Sequence, residues 1–157
     1  MKLTIEQSAL AATLMQATTI VEARNTVPIL ANVKITAAGD QMETVATDLD
    51  IEVTAIAQAT VKASGGTTVN AKMLLDIVKK LSKGALVALK VDDQWLHIDS
   101  GQASFKLATL PTEDYPVMTS STYDNTFTIA ADEMATLFNR TAFAQSTEET
   151  RYHLNGV

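Results

Sequence analysis

The chain has no cysteine among its 157 residues, which excludes disulfides, thiolate metal sites and cysteine nucleophiles together. That suits a reducing compartment. Aromatic residues make up only 5% of the chain, too few to favour single-stranded nucleic acid held by base stacking. No apolar run approaches the length needed to cross a bilayer. Residues 8–15 are apolar after Lys2, but Glu6, Gln7, Thr13 and Gln16 interrupt the segment, so the start reads as mature and cytoplasmic rather than as a leader. Also missing are His-x-x-x-His, a glycine-rich phosphate loop and Gly-x-Ser-x-Gly. No metal site and no cofactor are expected.

What is present is a hydrophobic content of 46% and a charged content of 19%, the balance of an ordinary globular protein. Net charge is −6, which by itself argues against a nucleic-acid partner. Its distribution argues the other way. Residues 70–84 hold four lysines, Lys72, Lys79, Lys80 and Lys83, against the single acid Asp76. Positive charge is thus gathered on one segment of an otherwise acidic body.

A local pattern occurs three times. Leu3-Thr4-Ile5, Thr67-Thr68-Val69 and Phe127-Thr128-Ile129 are short and β-prone, and each runs into a helical segment whose apolar residues (Leu10 and Leu14, Leu74 and Val78, Met134 and Phe138) recur at i, i+4. The first and third copies stay in register as far as Leu30-Ala31-Asn32-Val33 and Leu154-Asn155-Gly156-Val157. A recurring unit implies a fold built by duplication. The third copy stops on an apolar residue partway through, which reads as part of a longer protein.

The spacing predicts a strand over 2–5, a helix over 6–21 and extended runs over 27–37, 42–46 and 51–63. A strand over 67–69, a helix over 71–82 capped by Asn70, and extended runs over 85–91, 94–99 and 103–108 follow. The expected class is α+β, with repeated strand-helix-strand-strand-strand units and paired helices on one face of antiparallel sheet. Composition turns to Pro, Asp, Ser and Thr over 111–125, and the expected divisions are a complete domain over 1–118, a linker over 119–125 and the start of a second domain over 126–157. In the third copy a strand over 126–129, a helix over 131–144 and a strand from Arg151 are expected.

Lys72, Asp76, Lys79 and Lys83 fall on one face of the second helix, opposite Leu74, Val78 and Leu81. One reading is a solvated face with an Asp76/Lys80 pair. The sharper one is a surface facing duplex DNA, whose phosphates attract lysines whatever the base sequence, with Arg24 and Arg140 joining it. A hydrolytic reading has little material: His153 with Glu148 or Glu149, His97 on a strand, and Asp48 and Asp50 in a turn. A β-rich protein-interaction module without DNA contact is a third reading. Arg151-Tyr152-His153-Leu154 is dense in recognition-type residues, with alternate residues on opposite faces if extended.

Five motifs in order, Arg24-Asn25-Thr26-Val27-Pro28-Ile29-Leu30, Thr47-Asp48-Leu49-Asp50, Gly66-Thr67-Thr68-Val69, Leu110-Pro111 with Asp114-Tyr115-Pro116, and Glu149-Thr150-Arg151-Tyr152-His153-Leu154-Asn155-Gly156, resemble the bacterial DNA sliding clamp, the beta subunit of DNA polymerase III. The resemblance implies the clamp fold and a non-catalytic processivity factor. It further implies a homodimeric ring around double-stranded DNA, with the polymerase III catalytic subunit and the clamp loader as partners through short linear peptides. By matching motif, Arg24, Lys72, Glu148, Tyr152 and His153 fall at DNA-facing positions, and Arg151 and Leu154 edge the peptide pocket. Gln102, Ser104, Phe105 and Leu107 fall on the strand that meets the partner protomer. His153 stands where a second tyrosine is common, and Gln102 and Ser104 stand where basic residues are expected.

Overall fold

The computed structural model describes residues 1–21, 27–116, 118 and 125–156. They divide into two compact units, Met1–Thr119 and Ser120–Val157.

In the first unit, strand β1 (Lys2–Glu6) points Leu3 and Ile5 inward and leads directly into helix α1 (Gln7–Ala17), which buries Leu10, Leu14 and Ala17. The helix ends four residues before the expected Val21. Thr18 and Thr19 stand at its end, and their hydroxyls donate back to the carbonyls of Met15 and Gln16. β-branched residues whose hydroxyls compete for the helical acceptors make a poor continuation. Residues 28–31 form a 3-10 turn opened by Pro28, where an extended run was expected.

Strands β2 (Asn32–Ala38) and β3 (Gln41–Thr47) form a hairpin over Gly39, whose φ of +59° suits glycine. The next turn is held by Asp48, whose carboxylate accepts from the backbone N–H of Asp50 and Ile51 at 3.0 and 2.7 Å. The expected run over 51–63 is two strands, β4 (Glu52–Gln58) and β5 (Thr60–Ala63). They are separated at Ala59, whose N–H donates to the Asp40 carbonyl.

The second repeat follows the same order: β6 (Gly65–Asn70), α2 (Ala71–Lys80), β7 (Leu86–Asp92), β8 (Trp95–Ser100) and β9 (Ala103–Leu110). Asn70 caps α2 as expected, its side-chain oxygen accepting from the Met73 N–H at 3.0 Å. Gly66 is needed for space, since a Cβ there would stand 3.0 Å from Thr112 Cγ2 and 3.3 Å from the Ile35 carbonyl.

The nine strands are hydrogen-bonded in the order β4-β3-β2-β6-β9-β8-β7-β1-β5, and every pair is antiparallel. This order interlocks the repeats. The opening strand of each is paired with the second strand of the other: Leu3 and Ile5 of β1 lie opposite Leu89 and Val87 of β7, as Thr67 and Val69 of β6 lie opposite Ile35 and Val33 of β2. The closing segments cross over too. Strand β4 pairs with β3 while β5 pairs with β1, and β9 pairs with β8 over residues 103–108 and with β6 only at Thr109 and Leu110. The helices pack against each other, and both contribute to one core with Leu3, Leu10, Leu14, Leu74, Val78, Leu89 and Ile98. Each such buried aliphatic side chain contributes roughly 1.5–3 kcal/mol relative to exposure.

The tail of this unit is anchored. Residues 112–114 form a 3-10 turn and Tyr115 is 3% exposed, its hydroxyl donating to the Asn32 carbonyl at 3.2 Å. Asn32 in turn donates to the Thr68 hydroxyl, which donates to the Leu110 carbonyl at 3.0 Å. The compositional shift at Pro111 therefore does not start a linker, because residues up to Tyr115 belong to the first unit's packing.

In the second unit, helix α3 (Ala131–Thr141) has no buried residue. Residues 126–129 are not a strand, and residues 149–154 form a 3-10 stretch rather than the strand expected from Arg151. Both corrections have a physical cause. A β-prone segment becomes a strand only against a partner, and the described residues of this unit contain no strand. The 3-10 stretch also keeps the repeat register, since Leu154 corresponds to Leu30, which lies in the Pro28–Ala31 turn.

Candidate nucleic-acid interface

Helix α2 has two unlike faces because its apolar residues recur at helical spacing. Leu74, Leu75 and Val78 are buried, while Lys72, Asp76, Lys79 and Lys80 are exposed. The helix ends at Lys80, with Leu81 in extended conformation. Lys83 is therefore exposed beyond the helix and not on its face, a correction to the i, i+11 alignment. Lys79 and Lys80 stand in the last turn, where cations complement the helix dipole. The ion pairs among the described residues are Lys90–Asp92 and Glu148–Arg151, so Asp76 leaves the lysines of α2 unneutralised by direct contact. Lys80, read from sequence only as a partner for Asp76, adds a fourth exposed cation; its missing ion pair was the detail that spacing alone could not supply.

The exposed face of the neighbouring helix α1 carries Ser8, Ala12, Met15 and Gln16 and no charge. Positive charge on this helical pair is thus confined to α2 and the residues just after it. Arg24 lies outside the described residues.

Within the second unit, Arg140 is exposed in the last turn of α3. A loop is closed by the Ser146 N–H donating to the Leu154 carbonyl at 2.9 Å, with the Gln145 side chain donating to Asn155. It presents Glu148, Arg151, Tyr152, His153 and Leu154, all exposed. Glu148 pairs with Arg151 at 3.2 Å, and the Tyr152 and His153 rings meet edge to face at 5.9 Å. Of the two carboxylates that a hydrolytic reading offers beside His153, that of Glu148 is engaged with Arg151, and the Glu149 side chain lies outside the described residues. Among the described residues no group of three His, Cys, Asp or Glu is placed to hold a metal.

On β9, residues 103–108 have β8 on one side and no strand on the other among the described residues. This open edge carries Ser104, whose hydroxyl donates to Asp99 at 2.6 Å, and the part-exposed Phe105. Gln102 is exposed in the preceding turn. Leu107 is 7% exposed and packs in the core, so Phe105, not Leu107, is the apolar side chain this edge offers.

Comparison with known proteins identifies the family to which this interlocked double repeat belongs. The family model for the DNA polymerase III beta subunit, N-terminal domain, matches residues 1–119. Beta sliding clamps from Caulobacter vibrioides and Escherichia coli are 43% and 32% identical across the whole chain. The chain spans 43% of the length of each of these relatives. The solved structure of Caulobacter crescentus pol III beta superposes with a TM-score of 0.94 at 44% identity, covering 99% of this chain and 42% of that one. A sliding clamp from Bartonella birtlesii, solved bound to griselimycin, superposes at 0.96 with 41% identity, over 99% and 42% of the two chains. The chain belongs to the DNA polymerase III beta subunit family. Among the described residues no helix is long and apolar enough to cross a membrane.

Proposed function

We propose that this chain supplies the first domain and the start of the second in a ring-forming sliding clamp, a cytoplasmic, non-catalytic processivity factor that encircles double-stranded DNA. The observation that carries the reading is the agreement with solved clamps over 99% of the chain, joined to a cationic helix face on a body of net charge −6. Lys72, Lys79 and Lys83, with Arg24 and Arg140, face DNA, and Glu148, Tyr152 and His153 lie on the loop that approaches it. Such contacts are electrostatic and independent of base sequence, so they hold the duplex without fixing a position on it. An acidic exterior keeps DNA in the opening and off the rim.

Two further roles belong to the same reading. The open edge of β9, with Gln102, Ser104 and Phe105 and with Leu107 packed behind them, receives a strand of the partner protomer in a homodimer, completing main-chain hydrogen bonds. Arg151 and Leu154 form one border of the pocket for short linear peptides of the polymerase III catalytic subunit and clamp loader. Tethering through such peptides keeps a polymerase that lets go close to its template. The divisions proposed are a first domain over 1–118, a linker over 119–125 and a second domain from 126.

The test is primer extension with the full-length protein loaded on DNA. Product length should rise on loading, and it should fall back in a Lys72→Glu, Lys79→Glu, Lys83→Glu variant. A monomeric full-length protein with no effect on product length refutes the proposal.

A further inference from the structure

We propose that the outer face of strands β1, β7, β8 and β9 is a docking strip for an extended acidic segment of a partner protein. Lys2 faces Lys90 across β1 and β7, Lys90 faces His97 across β7 and β8, and His97 faces Lys106 across β8 and β9. Residues directly opposed on neighbouring strands project from the same side of a sheet. Their neighbours Leu3, Leu89, Leu96 and Leu107 are buried, so the four basic residues look outward. At about 4.8 Å per strand they form a row roughly 14 Å long.

Like charges directly opposed across strands destabilise a sheet. Here Lys2 and Lys90 are directly opposed, and Lys106 stands two strands further along beyond His97, on a chain of net charge −6. Among the described residues only Lys90 of this row has a carboxylate partner, Asp92 at 2.9 Å, while the Lys106 ammonium lies 4.1 Å from the centre of the Trp95 ring. Asp92 is held below the ordinary aspartate range first by the Lys90 hydrogen bond and then by the Lys90 charge. An anion laid along the row would relieve the mutual repulsion.

The lane is narrow, and its width selects the anion. Two residues along the strands stand Asp92 on one side, its carboxylate drawn back to Lys90, and Asp99 on the other, with backbones about 7 Å from the row. The Asp99 carboxylate, with no cation paired to it among the described residues, repels a broad polyanion such as a duplex. An extended peptide instead presents alternate carboxylates in single file about 7 Å apart. Trp95 already has Lys106 over its ring, which makes it a poor platform for a nucleic-acid base.

The test is fluorescence anisotropy of labelled hexaglutamate and of labelled hexathymidylate with the 157-residue chain, at low salt and about pH 6. Hexaglutamate should bind in a salt-sensitive way. Its affinity should drop roughly tenfold or more in the Lys2→Gln, His97→Gln, Lys106→Gln variant and stay unchanged in Lys34→Gln. Circular dichroism checks that the triple variant folds, and if it does not, Lys106→Gln alone should lose about two- to threefold. Absence of hexaglutamate binding, equal binding by the variants, or tighter binding of hexathymidylate overturns the proposal.

Discussion

The side-chain amide of Gln7 donates a hydrogen bond of 2.8 Å to the main-chain carbonyl of Val78, across 71 residues of sequence. Val78 is in the last turn of α2, where carbonyls lack the next helical N–H, so the first turn of α1 helps cap the end of α2. Both groups are buried. Gln7→Ala removes the donor and leaves a buried acceptor that, among the described residues, keeps only the Leu81 N–H at 3.2 Å. Stability should fall by about 1–3 kcal/mol, measured as a lower urea midpoint without change in slope.

Tyr115 gives a pH-dependent counterpart. Burial raises its phenol above the ordinary value of 10.0, Glu52 adds to the effect, and a Thr47 backbone hydrogen bond opposes it. The folded chain holds this proton more tightly than the unfolded one, so the stabilisation is complete below about pH 10 and is lost as pH rises through the raised value. Tyr115→Phe should cost roughly 1 kcal/mol at neutral pH. Its stability should then decline less steeply than that of the parent above about pH 10, a difference measurable by denaturant titration across that range.

For the cationic face of α2, the informative quantity is a slope. The dependence of log affinity on log salt steepens by about 0.9 for every phosphate a lysine neutralises. Replacing Lys72, Lys79 and Lys83 by Gln in the full-length protein should flatten that slope by up to about three such steps, equally for DNA of any sequence. An unchanged slope would remove these lysines from the interface.

The second unit should associate through its apolar side chains. Phe127 and Phe143 are 82% and 87% exposed, and Leu137 and Phe138 about half exposed. Sedimentation of the chain should show concentration-dependent association that Leu137→Ser with Phe138→Ser reduces. The thermal transition of the first unit should not move, because no residue of its core is altered.

Legibility in the sequence followed the range of the forces involved. The Asn70 cap rests on neighbours in the chain, and its residue announced it. In the first unit the threonines Thr4 and Thr68 marked the opening strands, whereas Thr128 lies in no strand; at Thr68 the structure adds a reason for the residue: its hydroxyl joins Asn32 to Leu110. Position relative to the rest of the sheet was not legible. The break at Ala59, the burial of Leu107 and the packing of Tyr115 depend on segments distant in sequence. The repeat itself held a clue to the 3-10 turns, since both segments read as extended, around Leu30 and around Leu154, occupy the same register. Helix length failed locally, where Thr18 and Thr19 ended α1 early and an extended Leu81 left Lys83 outside α2.

The exchange of opening strands also sets a schedule for synthesis. Strand β1 is made before both its partners, β5 from residue 60 and β7 from residue 86. Until then Leu3 and Ile5 have no sheet to enter, and the apolar side of α1 waits with them. Pairings so distant in sequence form slowly because the loop must close before any contact repays it. A nascent chain paused near residue 80 would hold both helices and the β1–β5 pair but would still lack β7, the strand opposite Leu3 and Ile5. Duplication that leaves each half unfinished makes folding a single late event rather than two early ones.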